Sequence, residues 1–151
     1  MNAQTTLVRE LMHEGCRCIP HDSTCLHAAR LMRDEAVGAL PICGPDDRLI
    51  GMLTDRDIVV NCLAADMNPS ICTAGEMASG RVIWVHDDVP VGDALASMEE
   101  HLIRRLPVID RDMKLVGIVS QADIARHLGE HDVAELVEVI SKADPRQSVA
   151  F

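Results

Sequence analysis

Two stretches of the chain place a hydroxyl three residues before a carboxylate. Gly51-Met-Leu-Thr-Asp-Arg-Asp57 carries Thr54 and Asp57; Gly117-Ile-Val-Ser-Gln-Ala-Asp123 carries Ser120 and Asp123. In both, a strand-like apolar run gives way to a helix-like one. The hydroxyl therefore stands at or just before a helix N-terminus, and the Asp lies in the first turn. A hydroxyl and the unpaired first N–H groups can meet an anion there, and a carboxylate can accept two hydrogen bonds at once. A plainer reading stands beside this one: Thr and Ser cap helices, and Asp complements the helix dipole. The chain contains neither G-x-x-x-x-G-K nor G-x-G-x-x-G, so the common glycine-rich phosphate loops are excluded.

Histidine and cysteine are the other reactive types. His127 and His131 are four apart and would share one face of a continuous helix. Two imidazoles so placed can hold zinc; Gly129 between them weakens the helix, and solvated or helix-end imidazoles are the alternative. No H-E-x-x-H or complete ligand set is present. Cys18 and Cys43 are expected in strands of one small sheet, where they would either bridge or remain two reduced, buried thiols. Cys16-Arg17-Cys18 is C-x-C rather than C-x-x-C. No nucleophile with a base, metal cage or paired acid and base is recognisable, so the sequence reads as non-catalytic.

What positions these residues is a repeat. Leu40-Pro41 and Leu106-Pro107, Gly51–Asp57 and Gly117–Asp123, Cys18 and Trp84, and Ala28 and Ala94 all keep an offset of 66. Each copy reads β-α-β-β-α. In the first, these are a strand at 16–20, a helix from the Thr24 cap to about Asp34, a hairpin over 38–53, and a helix from Asp55 to about Ala65. In the second, they are a strand at 82–85, a helix at 91–101, a hairpin of 106–109 with 115–119, and a helix from about Gln121 to Leu128. Thr73-Ala-Gly-Glu76 has capping-box spacing. Val133, Leu136, Val137 and Ile140 mark a further short C-terminal amphipathic helix, with a frayed tail from Ala143. The chain thus divides into repeat 1 (7–65), a linker (66–72), repeat 2 (73–128) and a C-terminal segment (129–151).

Composition narrows the function classes. With 14 basic and 24 acidic residues among 151, the net charge of −10 opposes non-specific nucleic-acid binding. Trp84 and Phe151 are the only aromatics, so there is no base-stacking platform and the core must be aliphatic. No apolar run reaches a membrane span and no signal peptide is visible; a cytoplasmic protein with mostly reduced thiols is expected. A single unit of about 60 residues has a marginal core. The expected fold is therefore α+β: two repeats packed sheet to sheet with pseudo-twofold symmetry and two equivalent clefts.

The tandem β-α-β-β-α order, the Leu-Pro-Ile and Leu-Pro-Val strands and the two Gly-h-h-[Thr/Ser]-x-x-Asp stretches resemble paired CBS domains, the Bateman module. The resemblance covers roughly residues 7–128. It implies a regulatory module that binds an adenosine-containing ligand (AMP, ADP, ATP or S-adenosylmethionine), forms a homodimer and signals to an effector protein. Under that resemblance, Asp57 and Asp123 accept from ribose hydroxyls and Thr54 and Ser120 meet phosphate. Ile19, Ile42, Val85 and Val108 line adenine slots or simply pack the core. Arg56 is the phosphate partner in one site and Arg104 or Arg105 in the other, or these arginines are solvated. Ser23-Thr24 corresponds to Val89-Pro90, so the two sites are expected to be unequal. The other reading is a stress-induced structural or interaction protein that keeps the fold without nucleotide, stabilised by a disulfide or zinc.

Overall fold

A computed structural model of the chain describes residues 3–15, 17–78 and 82–128. Cys16, His131 and the helix and tail expected beyond residue 129 lie outside these. The elements are α1 (Val8–Leu11), β1 (His13–Glu14), α2 (Cys25–Glu35), β2 (Ala39–Cys43), β3 (Leu49–Thr54), α3 (Asp55–Asp57) continuing as a π-helical segment (Ile58–Leu63), α4 (Ala74–Met77), β4 (Val85–His86), α5 (Val91–His101), β5 (Arg105–Ile109), β6 (Leu115–Ser120) and α6 (Gln121–Ala125). No helix among the described residues is long and apolar enough to cross a membrane.

Within the described residues, one compact unit consists of 17–78 with 82; the other joins 3–15 to 83–128. Residues 3–15 thus pack with the second repeat, and residues 66–78 with the first. The hydrogen bonds show why. Leu7 bridges Pro90, and Thr73 bridges Thr24. Val8 N donates to Val89 O at 2.9 Å and Arg9 N to Asp87 O at 3.0 Å; Ala74 N donates to Ser23 O at 2.7 Å and Gly75 N to His21 O at 2.8 Å. Every partner in one set lies 66 residues from its counterpart in the other. The repeat is therefore reproduced bond for bond, each lead-in segment satisfying backbone groups at the start of the other copy's long helix.

In the unit of 17–82, β2 and β3 form an antiparallel hairpin. The strand expected at 16–20 reduces to one parallel bridge, Ile19 to Ile42, because Pro20 has no N–H with which to extend it. Cys18 and Cys43 lie on either side of this bridge and are joined by a disulfide. Thr24 caps α2 by accepting from His27 N at 3.1 Å. The core gathers Leu40, Ile42 and Leu53 from the hairpin, Ala28 and Met32 from α2, and Ile58 and Cys62 from the π-helical segment.

In the other unit the sheet order is β1-β6-β5-β4, with β4 parallel to β5 and the remaining pairs antiparallel. This is one strand more than the repeat predicts, since β1 adds to the free edge of β6. The strand expected at 82–85 is shorter and later, at Val85–His86. Helix α5 covers the predicted 91–101, with Pro90 at its N-cap and no side-chain cap hydrogen bond. The helix expected to run to Leu128 ends at Ala125 and finishes in turns. Ala36 and Leu102, and Asp47 and Met113, are two pairs of left-handed residues 66 apart that end corresponding helices and turns.

Candidate functional site

The two hydroxyl–carboxylate pairs have the same local geometry. Thr54 N donates to Asp57 Oδ2 at 2.9 Å, and Asp57 N donates to Thr54 Oγ1 at 3.0 Å. Ser120 N donates to Asp123 Oδ2 at 2.8 Å, and Asp123 N donates to Ser120 Oγ at 3.1 Å. Each is a reciprocal capping box that satisfies two donors at a helix start. The strand ends at the hydroxyl residue, and the helix starts one residue later.

Burial distinguishes these carboxylates from ordinary caps. Asp57 is 6% exposed and Asp123 2%, and with Thr6 and Thr54 they make up the buried polar residues among those described. Buried carboxylates must be compensated by donors. Burial alone would raise the pKa of Asp123. Hydrogen bonds from the Ser120 amide and hydroxyl, and from His13, outweigh it and hold the carboxyl below the usual carboxylate range. His13 Nε2 lies 2.7 Å from Asp123 Oδ1, and Arg126 Nη2 lies 2.7 Å from the same oxygen. Sequence reasoning missed both partners. His13 is 110 positions away, and no local pattern announces such a contact.

The remaining predicted residues divide between the units. Ile19 and Ile42 are bridged neighbours, each 2% exposed. Val85 and Val108 are register partners, 8% and 0% exposed. All four are core residues here. Arg56 is exposed on α3, and Arg104 is exposed before β5. Arg105 is half-buried and stands opposite Ser120 in the ladder, where Ala39 stands opposite Thr54. The second site thus has an arginine across from its hydroxyl that the first does not. Gln121, at the first position of α6, holds a buried side-chain oxygen with no hydrogen-bond partner, and sequence reasoning did not single it out.

A cavity of about 600 Å³ lies within the unit of 17–82. Ile42, Gly51 and Met52 form one part of its lining, and Thr73, Glu76 and His21 another. His127 does not present a free ring edge pair: its Nδ1 is 2.8 Å from Asp123 O, one helical turn back. Among the described residues no three His, Cys, Asp or Glu side chains gather closely enough to hold a metal ion.

The profile of the CBS domain family matches residues 8–63 and again 74–130. Hypoxic response protein 1 of Mycobacterium tuberculosis is 49% identical over 135 residues, covering 89% of this chain and 94% of that one. A crystal structure of Hypoxic Response Protein I with two coordinated zinc ions superimposes with TM-score 0.76 at 50% identity, covering 82% of this chain and 100% of that one. The CBS domain pair of protein MJ0100, solved with 5′-methylthioadenosine and S-adenosyl-L-methionine, gives TM-score 0.70 at 29% identity, covering 80% of this chain and 94% of that one.

Proposed function

The chain belongs to the CBS-domain family, and from that premise we propose that it is a non-catalytic sensor of an adenosine-containing ligand. The observation that carries the reading is the pair of buried carboxylates, Asp57 and Asp123, each fixed by a hydroxyl residue at a strand-to-helix junction. A carboxylate held this way can accept both hydroxyls of a ribose diol. Thr54 and Ser120, with Arg56 and Arg105, then face phosphate or another polar substituent. The cavity beside Ile42 and Met52 has the size of a small-ligand pocket and an apolar wall suited to a purine. Both compounds solved with MJ0100 contain adenosine, which supplies the ligand class. The ligand changes the stability of the module, and an effector protein reads the change.

Thermal unfolding with saturating AMP, ADP, ATP, NAD and S-adenosylmethionine tests this. A ligand at a hundred times its Kd adds about 2.7 kcal/mol, which for a chain of this size raises the midpoint by roughly 5 °C or more. One adenosine compound should produce the shift, and Asp57→Ala or Asp123→Ala should diminish it. No shift with any of them would instead favour a structural or interaction protein that keeps the fold without nucleotide.

The same reading includes a homodimer. Val59, Val60 and Leu63 of the π-helical segment, with Met67 and Ile71 after it, are exposed aliphatic residues close together in the chain. A face of this kind is suited to burial against a second copy. Paired Val59→Asp and Leu63→Asp substitutions should convert a sedimenting dimer to monomer. A dimer unchanged by them would exclude this face.

A further inference from the structure

The Asp123 carboxylate is already engaged within its own chain. Its side chain is 3% exposed. Oδ2 accepts from Ser120 N at 2.8 Å, while Oδ1 accepts from both His13 Nε2 and Arg126 Nη2 at 2.7 Å. A carboxylate offers about four lone-pair positions, and His13 and Arg126 together fill both of those on Oδ1. The acid is ionised at neutral pH and can only accept, so the His13 Nε2 carries the proton. His13 arrives from a separate element: β1 pairs antiparallel with β6, setting His13 opposite Ile118, two residues before Ser120. The chain position 66 residues on is Ser79, which carries no imidazole, so this ring belongs to one repeat only.

We propose that His13 is a built-in competitor for the ribose diol at Asp123, so that an adenosine-containing ligand must displace it to fill the second site. The inference rests on the adenosine-binding reading above and adds its regulation. A diol donating to both oxygens needs a free position on each. Oδ1 retains none while both His13 and Arg126 donate. Arg126 is tied to the same helix, three residues on, and its Nε also donates to Ala122 O at 3.3 Å. His13 is held by the single side-chain bond, and its ring is 72% exposed, so it can swing into solvent without opening the core. His13 is therefore the partner that yields. The consequence is that the second site fills at a higher ligand concentration than its other residues would set.

Calorimetric titration of the full chain with AMP and, separately, S-adenosylmethionine tests this in two backgrounds. Asp57→Ala isolates the second site; Asp57→Ala with His13→Ala removes the competitor from it. The double variant should bind on the order of tenfold more tightly, the worth of one charge-assisted hydrogen bond. Equal affinities would overturn the competitor while leaving the sensor reading intact. Binding by the wild type but by neither variant would place all binding at Asp57 and overturn it as well. No binding by the wild type would overturn the sensor reading itself, and the competitor with it. If Asp57→Ala unfolds, wild type and His13→Ala give the same comparison, one binding phase being expected to tighten and the other to stay unchanged.

Discussion

Replacing Cys18 and Cys43 together by serine should lower the unfolding midpoint by about 10 °C. The bridge closes a loop with a sequence separation of 25, and the cysteine Cα atoms are 5.7 Å apart, within the span that two Cβ–S arms reach without moving the backbone. Removing a cross-link over such a loop releases unfolded-state entropy worth about 3 kcal/mol, and a chain of this size loses roughly 2–4 °C per kcal/mol. The backbone already holds the cysteines in place: Ile19 N donates to Pro41 O at 2.9 Å and Cys43 N to Ile19 O at 3.0 Å. Dithiothreitol should lower the wild-type midpoint by the same amount and leave the serine variant unchanged. Denatured without reductant, Cys18 and Cys43 should escape a thiol reagent that labels Cys25, Cys62 and Cys72. The three described free cysteines should resist alkylation in the folded protein at neutral pH. Burial first, and the neighbouring Cys62 and Cys72, push the Cys25 thiol up to about 11, and burial raises Cys72 as well. A serine variant as stable as wild type would show that the bridge contributes nothing to the fold.

The same bridge shows what could be read from residue order. The hairpins were legible because short apolar runs flanking turn residues are local signals, and Thr24 because a hydroxyl before an apolar helical stripe is a cap. The offset of 66 made the second copy check the first, which is why the paired Thr54–Asp57 and Ser120–Asp123 boxes could be matched from residue order alone. What failed to show has a common physical character. The strand at His13–Glu14 is two residues long and exists only because the edge of β6 has unpaired groups to offer. The π-helical run Ile58–Leu63 widens each turn by a residue, which no 3.6-residue pattern reports. The exchange of lead-in segments leaves every local pattern unchanged, since each segment has the same bonds to make whichever copy it meets. His13 on Asp123 depends on two of these at once, β1 on the edge and the lead-in packed with the second repeat, so the most consequential contact of the site is the one least visible in sequence.

That contact also sets the acid stability of its unit. Asp123→Ala should cost about 2–3 kcal/mol at neutral pH, because it leaves the Ser120 N–H without its acceptor and takes the shared partner from His13 and Arg126. Asp123→Asn keeps the volume and one acceptor, so it should cost less while removing the titration. The sign follows from the depressed pKa. Burial raises it, the Ser120 and His13 hydrogen bonds outweigh burial, and the folded value falls below the unfolded one. A group of this kind contributes its stability in full above the unfolded carboxylate value, about pH 4, and loses it as pH falls through the lower folded value. Urea unfolding at intervals from pH 7 to pH 2 should therefore show wild type well above Asp123→Asn at neutrality, with the gap narrowing below about pH 4. Curves that stay parallel across the whole range would mean that the carboxylate is not held in its charged form by Ser120 and His13. In that case the hydrogen bonds at its two oxygens would carry neither the stability nor the competition assigned to them.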